Sequence, residues 1–411
     1  MHITHMEIEF SKTVNVTQRG LNALREANSC AGANDEVWRS LWNKETATAQ
    51  LIDIKSVASS ISSCKQLLVL GIGGSALGLK ALHQALSSSN GSPELTVLDN
   101  VDPVLVQDAL NKIESADPTN CNTVVIVISK SGSTAEIAAL LMVTQKALPK
   151  AKYIAITEDA SQLHSYAIEQ QWTTLPVPVG VGGRFSVLSN VGLLPAFLCD
   201  IDCEELLRGA REMDQLCSQE ANNPALSLAQ CLVDAYESGR PIHVLMPYCN
   251  KLAFLSDWYV QLWAESLGKF DEEGNRVGPT PVAAIGATDQ HSTLQLWQEG
   301  PLDKVIGFIR VQHCEDIELG ENIMNEQFEW LKGKRLKQLL DAQQNATEAS
   351  LREAGQITYT MTLPSLDAHA IGQFFALWQI TVAIAGRMLQ LNPYNQPGVE
   401  LSKKLTKESF S

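Results

Sequence analysis

The sequence predicts an α/β protein with two tandem domains, each a mainly parallel sheet flanked by helices. Short runs rich in Val, Ile and Leu, such as 124–129 (VVIVIS), alternate regularly with segments of helical pattern. Near-continuous apolar runs are typical of strands that are buried on both faces of a parallel sheet. This alternation occurs twice, once from residue 66 and again from residue 242. A chain of 411 residues is long enough for roughly two or three such units.

The first alternation runs from residue 66 to residue 158. Its predicted strands are 66–70, 95–99, 124–129 and 153–158. A glycine-rich loop and a helix follow the first strand, a helix over 104–113 follows the second, and a hydroxyl-rich loop and a helix follow the third. A passage rich in Pro and Gly (176–195) and an acidic, helical stretch (203–238) then lead to the second alternation.

The second alternation has strands at 242–247, 282–286 and 305–311 and helices at 253–266 and 290–298. The region 320–355 has a helical pattern, and 366–391 is a long apolar helix. We therefore divide the chain into four parts. They are an N-terminal helical segment (1–50), a first domain (51–202), a second domain (203–391) and a C-terminal tail helix (392–411).

Charge excludes several classes of function. The chain has 31 Lys and Arg against 46 Asp and Glu, a formal net charge of −15. A generic nucleic-acid binder needs a basic face to displace counterions from phosphates, and attachment to an anionic membrane needs basic residues as well. We therefore expect neither a nucleic-acid partner nor a membrane partner. No stretch reaches the 18 uninterrupted apolar residues that indicate a membrane span.

The expected compartment is the cytoplasm. The start, MHITHMEIEF, lacks the layout of a signal peptide. The nine cysteines are scattered and form no C-x-x-C pair, which is typical of reduced thiols. Cys199 and Cys203 are the one close pair, and buried core cysteines are a better interpretation of them than a zinc site.

The glycine-rich loop 71–78 (GIGGSALG) lies between a strand and a helix and has two interpretations. Gly71, Gly73 and Ala76 satisfy the dinucleotide pattern G-x-G-x-x-G/A, and Asp99 ends the next strand near the position that binds ribose. A nicotinamide-dependent oxidoreductase is therefore one hypothesis. Glycines that only form a tight turn from strand to helix would give the same pattern.

The next loop, 129–134 (SKSGST), favours a phosphate monoester. It offers four hydroxyl groups beside the backbone amides at the amino end of a helix, and Ser75 of the first loop could complete the arrangement. Phosphate oxygens accept hydrogen bonds from hydroxyls and amides, and the helix dipole adds attraction. A cluster that only capped the helix would use one or two hydroxyls.

Four further segments carry residues that could take part in catalysis or substrate binding. Arg184 follows two glycines, where the backbone can approach a ligand, although a lone Arg more often forms a surface ion pair. Glu265 and Gln261 share a helix stripe, but most helical Glu residues are only solvated. His291 lies in a loop after a predicted strand. Gln396 and Lys403 lie near the carboxyl terminus, where Lys403 could be one of several exposed lysines.

In order along the chain, these segments resemble the phosphoglucose isomerase family, whose members are built from two sugar isomerase (SIS) domains. The resemblance covers roughly residues 66–404. Its most specific motifs are GGRFSVLSNVGLLP (182–195) and QPGVELSK (396–403), and it also includes QLWAESLGK (261–269) and TDQHSTLQLWQEGP (288–301).

The resemblance implies reversible isomerisation of glucose 6-phosphate to fructose 6-phosphate through an enediolate, in glycolysis and gluconeogenesis. It implies Glu265 as the base, Arg184 as the group that stabilises the negative oxygen, and His291 and Lys403 as groups that assist opening of the sugar ring. The implied substrate-binding residues are Gly74, Ser75, Ser129, Lys130, Ser131, Thr134, Gly183, Gln261 and Gln396.

The resemblance also implies a homodimer with a shared active site, since the family's histidine enters from the neighbouring subunit. It implies no metal and no organic cofactor. A non-catalytic protein that only binds a sugar phosphate is the alternative from another class. Such a protein would have no reason to keep Glu265, Arg184, His291 and Lys403 together.

Overall fold

The computed structural model of the chain describes residues 5–87 and 91–410. The first four residues of the predicted N-terminal segment and the last residue of the predicted tail therefore lie outside the described residues. The described chain begins with β1 (Glu7–Phe10), α1 (Gln18–Cys30) and α2 (Lys44–Ser59). The segment 1–50, whose pattern predicted mostly helix, thus contains these helices and also contributes a strand.

The first sheet confirms the predicted parallel arrangement. Its five strands lie in the order β3-β2-β4-β5-β6, and every neighbouring pair is parallel. The elements are β2 (Gln66–Leu70), α3 (Leu77–Leu86), β3 (Glu94–Leu98), α4 (Pro103–Ala116), β4 (Thr123–Ile128), α5 (Ala135–Ala147), β5 (Lys152–Thr157), α6 (Gln162–Glu169) and β6 (Thr173–Pro176). The sequence missed β6, which is a short edge strand that ends in proline, a residue that edge strands tolerate.

Three helices connect the two sheets. They are α7 (Asn190–Leu198), α8 (Cys203–Cys217) and α9 (Pro224–Glu237). The side chains of α7 are almost all buried, which explains the apolar run of the motif at 182–195.

The second sheet has the order β1-β12-β11-β7-β10, parallel except for β1. Its strand β1 comes from the N-terminal segment and pairs antiparallel with β12, with Glu7 opposite Thr362. The remaining elements are β7 (Ile242–Pro247), α10 (Ala253–Leu267), β8 (Lys269–Phe270), β9 (Arg276–Val277), β10 (Thr280–Ala283), α11 (Leu294–Glu299), β11 (Lys304–His313), α12 (Leu336–Glu353), β12 (Ile357–Ser365), α13 (Ala368–Met388) and α14 (Glu400–Glu408). The α/β class with two mainly parallel sheets is confirmed.

The predicted helix over 320–355 is only partly right. Residues 336–353 form α12, but the residues before it are irregular apart from a short 3-10 turn at Glu326–Leu331. Gly333, with φ +63°, adopts a left-handed conformation just before α12, and such a residue does not continue a right-handed helix. The sequence also missed β12, whose apolar and Thr residues alternate as they do in a strand.

Two helices form the centre of the molecule. α13 is long and apolar enough to cross a membrane by composition, but 94% of that window is buried inside the protein. α10 packs against it through Trp258, whose ring lies 4.6 Å from that of Phe375. α10 also contacts α3, which follows a strand of the first sheet, and strands β7 and β10 of the second sheet. α10 therefore lies between elements of the two sheets.

Candidate active site

The open side of α10 presents Gln261 and Glu265, which the helical period predicted to share one stripe. Gln261 Nε2 donates to Glu265 Oε1 at 2.9 Å. The opposite stripe of the helix is buried, with Trp258 and Leu262 in the core. Core packing thus fixes the rotation of the helix, and one third of the Glu265 side chain (33%) stays accessible to solvent. The carboxylate is therefore both held and reachable.

Arg184 meets this carboxylate from a 3-10 turn (Gly183–Phe185). Its Nη1 lies 3.3 Å from Glu265 Oε2 and 3.0 Å from Gln396 Oε1. Its Nε donates to Ser266 Oγ at 2.7 Å. Its Nη2 donates to the carbonyl oxygens of Pro393 and Asn395. All five N–H groups of the guanidinium are thus matched with acceptors.

Burial makes this arginine different from a surface ion pair. Only 2% of its side chain is exposed. Burial lowers the pKa of Arg184, while the adjacent Glu265 carboxylate acts in the opposite direction. Because the ordinary pKa of arginine lies above 12, the group stays cationic. The result is a fixed positive charge beside an accessible carboxylate.

The first glycine-rich loop supports the arginine turn. A Cβ atom on Gly74 would lie 2.2 Å from the carbonyl group of Gly183 and 2.7 Å from the amide of Arg184. Only glycine permits that approach, so Gly74 sets the position of the turn. Gly73, with φ +58°, lies against Gln261 Nε2. Gly183 faces open space, since a Cβ there would have no neighbour within 4 Å among the described residues.

The hydroxyl-rich loop lies beside the first loop because β2 and β4 are neighbouring parallel strands. Ser129 Oγ and Thr134 Oγ1 are 3.1 Å apart, and Ser131 Oγ and Ser133 Oγ are 2.9 Å apart. Thr134 holds the N-cap position of α5, yet in the described structure no side chain caps that helix. The hydroxyls therefore do not serve as the helix cap, the alternative that the sequence left open.

The amino end of α3 is similar. Ala76 is its N-cap residue, and no capping side chain is found there in the described part of the chain. Ser75, just before it, lies in a 3-10 turn (Gly73–Ser75) at the carboxyl edge of the sheet. Two helix amino ends thus point toward the same edge, where their partial positive charges attract an anion.

Lys130 is placed differently from the hydroxyls. Its Nζ lies 3.5 Å from Glu158 Oε1, at the end of the next strand. Thr157 holds the loop 129–134 in place, because its hydroxyl donates to the Ser129 carbonyl at 2.6 Å. The ammonium group of Lys130 therefore has a carboxylate partner near the loop.

His291 and Lys403 do not join the cluster around Glu265 in a single chain. His291 is exposed at the end of a 3-10 turn (Thr288–His291), and within residues 5–87 and 91–410 its ring has no hydrogen bond. Lys403 lies on α14, 62% exposed, and pairs with Glu400 at 2.8 Å. All residues of α14 are exposed. The structure brings together Arg184, Gln261, Glu265 and Gln396, and leaves these two apart.

Comparisons with known proteins identify the family. The family model described as phosphoglucose isomerase matches residues 35–410. The chain belongs to the phosphoglucose isomerase family. It is 42% identical over 358 residues to the glucose-6-phosphate isomerase of Rubrobacter xylanophilus, covering 82% of this chain and 80% of that protein.

Solved structures share the fold of this chain. One is a hypothetical protein from Thermus thermophilus, with a TM-score of 0.87 and 34% identity, covering 95% of this chain and 94% of that one. Another is a glucose-6-phosphate isomerase from Chlamydia trachomatis, with a TM-score of 0.82 and 21% identity, covering 99% of this chain and 89% of that one. At that lower identity the second structure supports the fold alone.

In this member of the phosphoglucose isomerase family, the residues of the dinucleotide pattern in the loop 71–78 have structural roles. A Cβ on Gly71 would lie 2.5 Å from the carbonyl oxygen of Ser75, and Gly73 has φ +58° and lies against Gln261 Nε2, so these glycines permit the tight turn of the loop. Asp99, the candidate ribose ligand, pairs with Lys80 Nζ at 2.5 Å. The loop glycines and the acidic residue are therefore already engaged by the protein.

The cysteines also belong to the core or the surface. Cys199 and Cys203 are buried, and burial raises the pKa of each thiol to about 12. In the described ranges no group of three or more His, Cys, Asp and Glu side chains is placed to hold a metal ion.

Sequence reasoning missed three neighbours of Arg184 in this family member. They are Ser266, Asn395 and Lys269. Ser266 Oγ accepts from Arg184 Nε, and the Asn395 carbonyl accepts from both Arg184 Nη2 and Lys269 Nζ. Ser266 and Lys269 both lie in the quoted motif QLWAESLGK, and Asn395 precedes the quoted QPGVELSK. Their presence in these motifs could have marked them as candidates. The contacts themselves join residues more than 80 positions apart, so the sequence did not predict them.

Proposed function

We propose that this chain catalyses the reversible isomerisation of glucose 6-phosphate and fructose 6-phosphate. The observation that carries the proposal is the pairing of an accessible Glu265 carboxylate with the buried Arg184 guanidinium, 3.3 Å apart. This pair lies beside a loop whose hydroxyls and helix amino end suit a phosphate. A coupled assay of the purified protein with glucose 6-phosphate tests this proposal.

Glu265 would move one proton between two carbons. With the sugar in its open form, the carboxylate removes the proton on C2, and the electron pair moves toward the C1 oxygen to form an enediolate. The proton of the C2 hydroxyl passes to the C1 oxygen, the same carboxyl group returns a proton to C1, and C2 becomes the carbonyl. No net oxidant or reductant is needed. A positioned base contributes about 10²–10⁴-fold to such a step.

Arg184 would stabilise the oxygen that becomes negative. Its five donors are already matched with protein acceptors. At least one donor must therefore change its acceptor when the enediolate forms. The remaining donors keep their acceptors and hold the buried guanidinium in place, so that its charge is already positioned when that one bond changes.

The hydroxyl-rich loop would bind the phosphate at the far end of the substrate. Remote binding energy orients the reacting carbons, so the loop contributes to catalysis without touching them. Ser75, Ser129, Ser131 and Thr134 are the proposed donors, together with loop amides. We propose a smaller part for the Lys130 ammonium, since Glu158 already partners it.

Replacing both Ser129 and Thr134 by alanine is expected to raise KM about tenfold or more and to change kcat less, because each lost hydroxyl removes a hydrogen bond to an anion. Initial rates over a range of glucose 6-phosphate concentrations give both constants. Thr48→Ala with Ser59→Ala is the matched control, since those hydroxyls donate to carbonyls within α2. A fall in kcat at unchanged KM would contradict the phosphate role.

A homodimer with a shared active site would complete the constellation. His291 lies outside the cluster, and the apolar residues of α14 and of the residues just after it are exposed, including Phe410 at 90%. Residues 314–335 carry further exposed apolar side chains, Ile317, Met324 and Trp330. Exposed large apolar side chains of this kind are suited to a protein interface. In the proposed dimer, His291 of one chain and Lys403 assist ring opening at the Glu265 cluster.

Mixing two inactive variants tests the shared site. Glu265→Gln and His291→Ala chains are each expected to lose most activity. After joint unfolding and refolding at equal amounts, about a quarter of the wild-type activity should return, since half the dimers are hybrids with one intact site. Sedimentation of the wild-type protein checks the dimer itself. Mixed samples no more active than the separate variants would contradict a shared site.

A non-catalytic sugar-phosphate binder is the second candidate. It is supported by the same hydroxyl loop but leaves the Arg184–Glu265 pair without a task. Binding of glucose 6-phosphate without turnover would favour it. A nicotinamide-dependent oxidoreductase is less well supported, because Asp99 is already paired.

For the compartment we propose the cytoplasm. All nine cysteines are free thiols, which suits a reducing environment.

A further inference from the structure

Lys269 is a second cation at the Glu265–Arg184 cluster. It directly follows Gly268, the residue at the end of α10, and stands four positions after Glu265. Its Nζ donates to the carbonyl oxygen of Asn395 and, at 2.9 Å, to Asn395 Oδ1. Lys269 thus fastens the chain just before Gln396 to the end of the helix that carries the carboxylate.

The Asn395 carbonyl is shared by two cations. Arg184 Nη2 donates to it at 3.1 Å, and Lys269 Nζ donates to the same oxygen. The next residue, Gln396, accepts from Arg184 Nη1. The Arg184 N–H that bonds to Asn395 therefore shares its acceptor with a second charged donor, the Lys269 ammonium.

Neighbouring residues of this segment have attachments of their own. Pro393 lies against Gly386, where an added Cβ would be 3.0 Å from the proline ring. The Tyr394 ring lies 5.5 Å from that of Phe185. Loss of the Lys269 contacts would therefore leave the segment attached and release only its Asn395 end.

We propose that Lys269 is a positioning residue, which keeps the Asn395 carbonyl bonded while Arg184 turns a donor from it to the developing oxyanion. This inference rests on the proposed isomerase function. A carbonyl that loses its donor inside a protein costs free energy, and a second donor on the same oxygen removes most of that cost. Lys269 also keeps Gln396 beside the cluster while the donor is exchanged.

The protonation of Lys269 makes this positioning role depend on pH. The charged groups that face it are Arg184, from its 3-10 turn, and Glu265, on α10. Burial and the charge of Arg184 lower the pKa of Lys269 to about 8, although Glu265 acts in the opposite direction. Below that pH the ammonium makes charge-assisted bonds, and above it the neutral amine makes weaker ones. The positioning effect is therefore present below pH 8 and declines as the pH rises through 8.

The test compares Lys269→Met and Lys269→Arg in the full-length protein, with kcat and KM for glucose 6-phosphate measured from pH 6.5 to 9.5. At pH 7 the methionine variant should have kcat lowered about tenfold, with KM changed less, as for loss of one charge-assisted bond. The arginine variant stays charged at every pH tested. It should recover most of kcat at pH 7 and lack the decline that the wild type shows above pH 8.

Lys152→Met is the matched control. Lys152 Nζ also donates to one carbonyl and one side-chain oxygen, those of Ser60, at 2.5 and 2.9 Å. It begins β5, at the opposite edge of the first sheet from the phosphate loop. This variant should retain the kcat and the pH profile of the wild type.

Two results would overturn the inference. One is a Lys269→Met protein that is folded by circular dichroism and has wild-type kcat and alkaline decline. The other is a loss of activity that only follows the loss of folded protein, as a purely structural lysine would give. An inactive wild-type protein would instead refute the proposed function.

Discussion

Replacing Glu265 by glutamine is expected to lower kcat by about 10²–10⁴-fold with substrate affinity largely retained, because the amide cannot accept the C2 proton. The change preserves shape, and the amide oxygen can still accept from Arg184, while the amide nitrogen bonds to Gln261 once the Gln261 amide turns its oxygen toward it. The coupled isomerase assay gives kcat, and competition by a hexose 6-phosphate analogue gives affinity.

Glu237→Gln is the control for this variant. Glu237 forms an exposed ion pair with Arg19 at 2.7 Å, on α9, and exposed pairs of this kind contribute little to stability. The control should turn over like the wild type. Normal turnover by the Glu265→Gln protein would contradict the base assignment.

Arg184→Lys has the second large expected effect, a fall in kcat of about 10²–10³-fold. Lysine keeps the charge but has three donors on one atom in place of the five donors of a planar fork. It cannot reach Ser266, Glu265, Gln396 and the two tail carbonyls together. Rates must be referred to folded protein, since loss of buried hydrogen bonds also lowers the melting temperature.

Arg39→Lys separates these two effects. Arg39 is another buried arginine, paired with Asp214 at 2.5 Å and bonded to the Ala27 carbonyl. Its replacement should lower the melting temperature and leave the turnover of the folded protein unchanged. If Arg184→Lys behaved like Arg39→Lys, with stability lowered and turnover kept, the oxyanion role would be wrong.

Local patterns predicted the first sheet and the loops that follow its strands. Runs such as 66–70 and 124–129 are apolar enough to have one stable placement, between two layers of helices. Parallel neighbours then bring the glycine-rich and hydroxyl-rich loops to one edge. The helical period likewise predicted the shared stripe of Gln261 and Glu265, which their hydrogen bond confirms.

Elements that depend on distant partners were missed. β1 is four residues long and gains its place from pairing with β12, where Glu7 lies opposite Thr362, a residue far along the chain. The five acceptors around Arg184 come from α10 and the segment 393–396, so no local pattern reveals them. His291 and Lys403 stand apart in one chain, and their roles at the site stay predictions that depend on the proposed dimer.

The most direct test of the central claim is isomerisation of glucose 6-phosphate in D₂O, followed by NMR. Proton transfer through Glu265 predicts fructose 6-phosphate that gains deuterium at C1 over repeated turnovers, because the one-third exposed carboxyl group can exchange its proton with solvent before returning it. The Glu265→Gln protein should give almost no product. Fructose 6-phosphate formed without deuterium at C1, or no product from the wild-type protein, would contradict the account.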